Sequence, residues 1–135
     1  MSTIKVTNIQ DTSGGNQSTS EEIFQGRAKA WVNFDGTSGT SPFTIANGGI
    51  RDSFNVNSVT DNGTGDYSVT FANAMSSANY VVTTSYMTTN ASTNVCRVKN
   101  NTMATTGFDI QAGGFQQGAT NVNKDHVAVM IAVFI

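Results

Sequence analysis

From Ala28 onward, apolar and polar side chains alternate along the chain. In AKAWVNF, Ala28, Ala30, Val32 and Phe34 fall on one face and Lys29, Trp31 and Asn33 on the other. That period of two is what a half-buried strand requires. The reverse assignment, with Trp31 in the core and Ala28 and Ala30 outside, satisfies the same alternation. Asp35-Gly36 then ends the strand, and the loop TSGTSPFTIANGG follows. IRDSFNV alternates again. Ile50, Phe54 and Val56 are expected inward, and Arg51, Ser53 and Asn55 outward. Asp52 falls on the apolar side, so it needs either a basic partner or a place at a sheet edge. In DYSVTF, Tyr67, Val69 and Phe71 share one face.

Further strands are expected at 79–88, 94–99 and 105–112, with a turn at Asn100-Asn101. The last ten residues, HVAVMIAVFI, are apolar on both faces, so both should be covered: one by the chain's own sheet, the other by a partner subunit. GGFQQGATNVN, 113–123, reads as a long loop. At the N-terminus, 4–7 reads as a short strand, followed by a Ser/Gly-rich tract. Ser20, Glu21 and Glu22 resemble a helix start, with acids in the first turn. Gly26 should stop that helix after one turn. Counting 4–7, there are eight strands at most. Their spacing predicts an all-β fold, an antiparallel β-sandwich of about 6–8 strands or a barrel. The arm, 1–25, would precede a single domain, 26–135.

Between two of these strands lies VTDNGTGD, where Asp61, Asp66 and several amide and hydroxyl oxygens crowd together. A calcium loop of the EF-hand kind needs twelve residues with ligands at alternating positions and a closing Glu, and this stretch has neither. Asn62-Gly63 is a strong hairpin signal, because both residues tolerate positive φ. Gly65 adds room for a bulge. The segment therefore reads as a turn rather than a metal loop.

Composition supports the β reading and narrows function. Thr, Asn, Ser and Gly make up 60 of the 135 residues, while only 12% are charged. Such a mixture suits Thr-faced strands joined by Gly/Asn turns. A hydrophobic share of 38%, with 8 Phe and a single Pro, argues against disorder. The net charge of −2 offers no electrostatic footprint for nucleic acid or an anionic membrane. The start MSTIKVTNIQDTSGG has no apolar signal core, and no stretch is long enough to span a membrane. Cys96 is the only cysteine and is expected to be a small buried apolar residue.

No catalytic constellation emerges. His126 is the only histidine. No serine sits in a nucleophile elbow, and no metal-ligand spacing or phosphate loop appears. The expectation is a protein that is not an enzyme and uses no cofactor.

The runs AKAWVNFDGT (28–37) and IRDSFNVNSVTDNGTGDYSVTFANAMSSANYVV (50–82), with the opening IKVTNIQDTSGGNQSTSEEI, resemble a module of bacteriophage tail-fibre and virion structural proteins, especially of marine phages and cyanophages. VTFANAMSSANYVV, NVCRVKNNTMATTGFDIQA and HVAVMIAVF are similar, at the level of strand order, to H-type lectin domains. Those are six-stranded antiparallel sandwiches that form trimers. Their last strand typically carries a Trp, where this chain has Met130 and Ile131.

These resemblances imply a homotrimer on the exterior of a phage particle, made in the host cytoplasm, and a role in host-surface glycan attachment. On that reading the outer loops 36–49 and 113–125 bind. Phe43 and Phe115 would stack on a sugar face, and Asn47, Gln116, Gln117, Asn121 and Asn123 would supply donors and acceptors. Trp31, Val129, Ile131 and Val133 are the candidate oligomer interface. A head decoration protein, docking on another virion protein through its N-terminal arm as an added strand, is the competing reading. A soluble phage or bacterial lectin is the third.

Overall fold

The computed structural model describes residues 2–3, 5–15, 17–87, 94–114 and 122–135. Near the N-terminus, β1 (Asn8–Ile9) pairs antiparallel with β2 (Ser18–Thr19). Asp11 shapes the turn between them: its Oδ1 accepts from Ser13 N at 3.0 Å and Gly15 N at 2.8 Å. The strand is thus at 8–9 and residues 5–7 form none, while Ile4 of the expected strand lies outside the described residues. Helix α1 (Ser20–Gly26) starts at Ser20 with Glu21 and Glu22 in its first turn, as expected, and Thr19 caps it. Thr19 Oγ1 accepts from Glu22 N while the Glu22 carboxylate accepts from Thr19 N, a reciprocal capping box. The cap carries the helix through seven residues, beyond the single turn expected, and Gly26 is its last residue rather than an early stop.

The alternating segments build two antiparallel sheets. The front sheet contains β3 (Ala30–Phe34), β4 (Ile50–Phe54), β7 (Val81–Met87) and β11 (Ala128–Phe134), in the order β4-β3-β11-β7. The back sheet contains β5 (Val56–Gly63), β6 (Asp66–Phe71), β8 (Asn94–Val98) and β9 (Gly107–Gly114), with β9 between β6 and β8. The two-residue β10 (Val122–Asn123) pairs with the far end of β9, within the stretch expected to be only loop. Eight strands of five residues or more are described, and three two-residue strands add to them. The two sheets pack face to face as a sandwich. No described helix is long and apolar enough to cross a membrane.

Asn55 is the joint between the sheets. IRDSFNV is not one strand: the chain leaves the front sheet after Phe54 and enters the back sheet at Val56. Asn55, at φ 55, makes the corner. Asn tolerates this left-handed conformation better than most residues. Its Nδ2 donates to Lys29 O and Asn73 O, and its Oδ1 accepts from Asn73 N at 2.8 Å. Phe54 faces outward and is 54% exposed, against the expectation that it faces the core, because a bulge opposite Asn33/Phe34 shifts the β4 register and puts Asp52 and Phe54 beside Asn33 and Trp31 while Ile50 stays inward. Asp52 lies on β4, an edge strand.

The core sits between the sheets and holds two aromatic groups. Phe34, Phe43 and Tyr67 meet with ring centroids 5.0 to 6.2 Å apart. Phe71, Tyr80 and Phe108 meet at 5.7 to 5.9 Å. Ala30, Val32 and Phe34 face inward as expected. Val129, Ile131 and Val133 do too, which corrects their assignment to an oligomer interface. They are cross-strand partners of Phe34, Val32 and Ala30 and are buried in the chain's own core.

The hairpin also differs in detail. Gly63 pairs with Asp66, so the turn is Thr64-Gly65, and Asn62 sits at a bulge. The back sheet decides this. Gly65 has φ +64, and a Cβ there would lie 2.2 Å from Ala112 O. Only glycine fits so close to β9.

Candidate functional site

Strand periodicity and register gather large apolar side chains on the outer face of the front sheet, interspersed with Asn33, Thr83 and Ser85. Trp31 on β3 lies between Phe54 on β4 and Ala132 on β11. Asn33 lies between Asp52 and Met130. Across β11, Met130 faces Ser85, Ala132 faces Thr83, and Phe134 faces Val81. Met87 ends the row on β7. Phe54, Val81 and Met87 are 54%, 63% and 59% exposed. Trp31, Met130, Ala132 and Phe134 are half-buried. A shallow groove runs between β7 and β11, lined by Thr83, Ser85, Met130 and Ala132. Asp52 brings a charge to this face on the edge strand. Arg51 adds a second charge at the same edge: its guanidinium donates to Asn33 Oδ1 at 3.4 Å and pairs with Asp35 at 2.9 Å. An uncharged, aromatic- and Met-bearing centre with a polar edge is the composition of a protein-binding patch.

The side chains expected to bind a ligand do not come together. Phe43 is fully buried and bridges to Val59, with Phe43 N donating to Val59 O at 2.7 Å. Its ring packs against Phe34 and Tyr67, so it has no face to offer a sugar, and that expectation is corrected. Asn47 is exposed, but it folds its own loop. Its Oδ1 accepts from Thr44 N and Gly49 N, and its Nδ2 donates to Pro42 O. Asn123 is on β10, opposite Gly113 in the back sheet. Phe115, Gln116, Gln117 and Asn121 lie outside the described residues. Trp31, of the expected interface, is on the exterior face. Its neighbours there are Met130, Ala132 and Phe134, residues that the sequence reading passed over.

The acids that crowd the hairpin have separate structural tasks. Asp61 Oδ1 accepts from Gly63 N at 2.8 Å. Asp66 pairs with Lys99 at 2.9 Å. Asp125, distant in sequence, accepts from Gly65 N at 2.7 Å and from the Tyr67 hydroxyl at 2.6 Å. Among the described residues no group of three or more His, Cys, Asp or Glu could hold a metal ion. Millimolar calcium is therefore expected to leave the melting temperature unchanged. A rise of several degrees in differential scanning fluorimetry would contradict this.

Among the described residues His126 is the only polar or charged residue, tyrosines aside, that is buried, at 2% exposed. Its ring stacks 4.8 Å from Tyr86, and its Nε2 has no hydrogen-bond partner in the structure. Burial holds its pKa below the ordinary value; Lys124 pushes the same way, and Asp125 opposes them. With the folded pKa lowered, the unfolded chain takes up the proton first. His126 thus contributes stability in full above the ordinary histidine value of about 6.5, and loses it as pH falls below that value. We expect the melting temperature to drop between pH 7.5 and 5, and to drop less in His126→Gln. Equal slopes in the two proteins would remove His126 as the cause. Cys96 is buried against the Thr84 side of the sandwich, and burial pushes its thiol up to about 11. It packs as a small apolar side chain rather than a nucleophile.

No family model, curated protein or solved structure matches the chain.

Proposed function

We propose that this chain is a non-enzymatic structural module of a bacteriophage particle, of the fibre or spike type, displayed on the particle exterior. It assembles as a homotrimer through the outer face of the front sheet and takes part in attachment to host-surface glycans. The observation that carries the reading is that face: Trp31, Phe54, Met130, Phe134, Val81 and Met87 share one surface, with Asp52 and Arg51 at its β4 edge. A subunit interface would bury it, and a closed threefold ring would hide the exposed edge strand β4 as well. The two-sheet packing is consistent with an H-type-lectin-like sandwich, and the sequence resemblance to phage fibre modules supports the location.

A second reading, a head decoration protein that stabilises the capsid, draws on the N-terminal arm. No described residue from 2 to 27 is buried, so that segment is available to a docking partner. Immunogold electron microscopy of purified particles separates the two. Gold at the tail supports the fibre reading, and gold over the head supports decoration. Gold nowhere on the particle contradicts both and points to a soluble lectin.

A further inference from the structure

Two apolar surfaces of this chain are exposed, and they meet at one point. The first is the outer face of the front sheet. The second is the arm, where Val6, Ile9, Ile23 and Phe24 are 50%, 55%, 42% and 49% exposed. Locally the arm is well specified. Its helix has a capping box, and Gln25 Nε2 donates to Glu21 Oε1 at 2.8 Å. Yet a seven-residue helix with a two-residue hairpin is too small to hold its shape alone in water. A docking surface has to supply the rest.

The arm joins the sandwich at that same face. Lys29 links them: its Nζ lies 3.2 Å from the centre of the Phe24 ring and donates to Phe24 O. Its backbone N donates to Val133 O at 2.8 Å, continuing the β3–β11 ladder. Two residues later Trp31 is on the outer face, beside Phe54 and Ala132. Within one chain the arm does not cover the face, since Phe54 and Val81 remain more than half exposed.

Area favours a second copy of the chain as the occupant. Four strands about 4.8 Å apart and about seven residues long present roughly 400 Å². A stable interface buries about 800 Å² on each partner. Two such faces pressed together fall short, and an arm laid across each would make up the difference. We propose that the arm of one copy, residues 2–27, lies across the outer face of the front sheet of a neighbouring copy. Ile23 and Phe24 seat over Met130, Ala132 and Phe134. Repeated around a threefold axis, each copy gives one arm and receives one, which closes the ring.

This inference rests on the proposed self-assembly through that face, and its test keeps the two apart. In a Cys96→Ala background of the full chain, Phe24→Cys and Met130→Cys are combined and the protein is oxidised. The expected result is a disulfide between the two substituted positions of different chains, giving a ladder up to a covalent trimer on a non-reducing gel. Ile9→Cys with Val81→Cys is a second pair, should the first disturb folding. Disulfides only within one chain would overturn the exchange. So would their absence in both pairs while light scattering shows a trimer, and in that case self-assembly through the face would survive. A monomer by light scattering would overturn both.

Discussion

Met130→Asp is expected to leave the chain folded and monomeric. Met130 is half-buried at the centre of the outer face, between Asn33 and Ser85. In an isolated chain its side chain borders solvent, so a carboxylate there remains hydrated and the melting temperature should fall by only a few degrees. In an assembled ring the same carboxylate would be buried without a partner in every subunit. Unpaired buried charge is among the most destabilising changes known, at several kcal/mol per site. Trp31→Ala should weaken assembly in the same direction by removing a large apolar anchor. Asp61→Ala and Asp66→Ala should not, because both acids act in the distant hairpin. The Asp66–Lys99 pair is part-exposed, so solvent screens it and its loss should matter little. Native mass spectrometry at micromolar concentration would read all four variants. An undiminished trimer in Met130→Asp and Trp31→Ala would contradict assembly through this face.

The largest effect on stability is expected at Tyr67. Its side chain is fully buried, with its ring 5.0 Å from Phe34 and its hydroxyl donating to Asp125. Burial, reinforced by Asp125, raises the phenol pKa, so the hydroxyl stays a donor at ordinary pH. Tyr67→Ala empties the centre of one aromatic group and should cost about 3–5 kcal/mol, as large-to-small core changes do. Tyr67→Phe keeps the packing and removes only the hydroxyl, which bonds Asp125 at 2.6 Å and Gly36 O at 3.2 Å, and this should cost about 1–3 kcal/mol. Urea titrations of the three proteins would give the two differences. A loss below about 1 kcal/mol in Tyr67→Ala would mean that this side chain is not part of the core.

Much of the sandwich was legible because period two is a strong signal where only one face is apolar. Ala30, Val32 and Phe34 on β3, and Tyr67, Val69 and Phe71 on β6, point inward as the alternation requires. Where both faces are apolar the signal vanishes. In β11 nothing within AVMIAVF says which parity is the core. That was settled by pairing with β3, which sets Ile131 against Val32 and leaves Met130 and Ala132 beside Trp31. Simple alternation puts Phe54 with Ile50, but a bulge in β4 reverses the parity between them, which depends on the partner strand, and Asn55 then divides what reads as one strand. Phe43 was taken for a loop side chain because polar residues and glycines surround it, and its bridge to Val59 is long-range. The hairpin turn moved two residues along because Gly65 is fixed by contact with β9, a tertiary demand that overrides the Asn-Gly preference. The helix cap was missed although its signature is present: Thr19 with Glu22 three residues on.

Sedimentation velocity of the unmodified chain, from sub-micromolar to tens of micromolar, tests self-assembly most directly. A trimer of this 14.2 kDa chain, roughly 43 kDa, with at most partial dissociation at the lowest concentration, is the predicted result. A single 14.2 kDa species throughout would mean that the outer face of the front sheet is not a subunit interface.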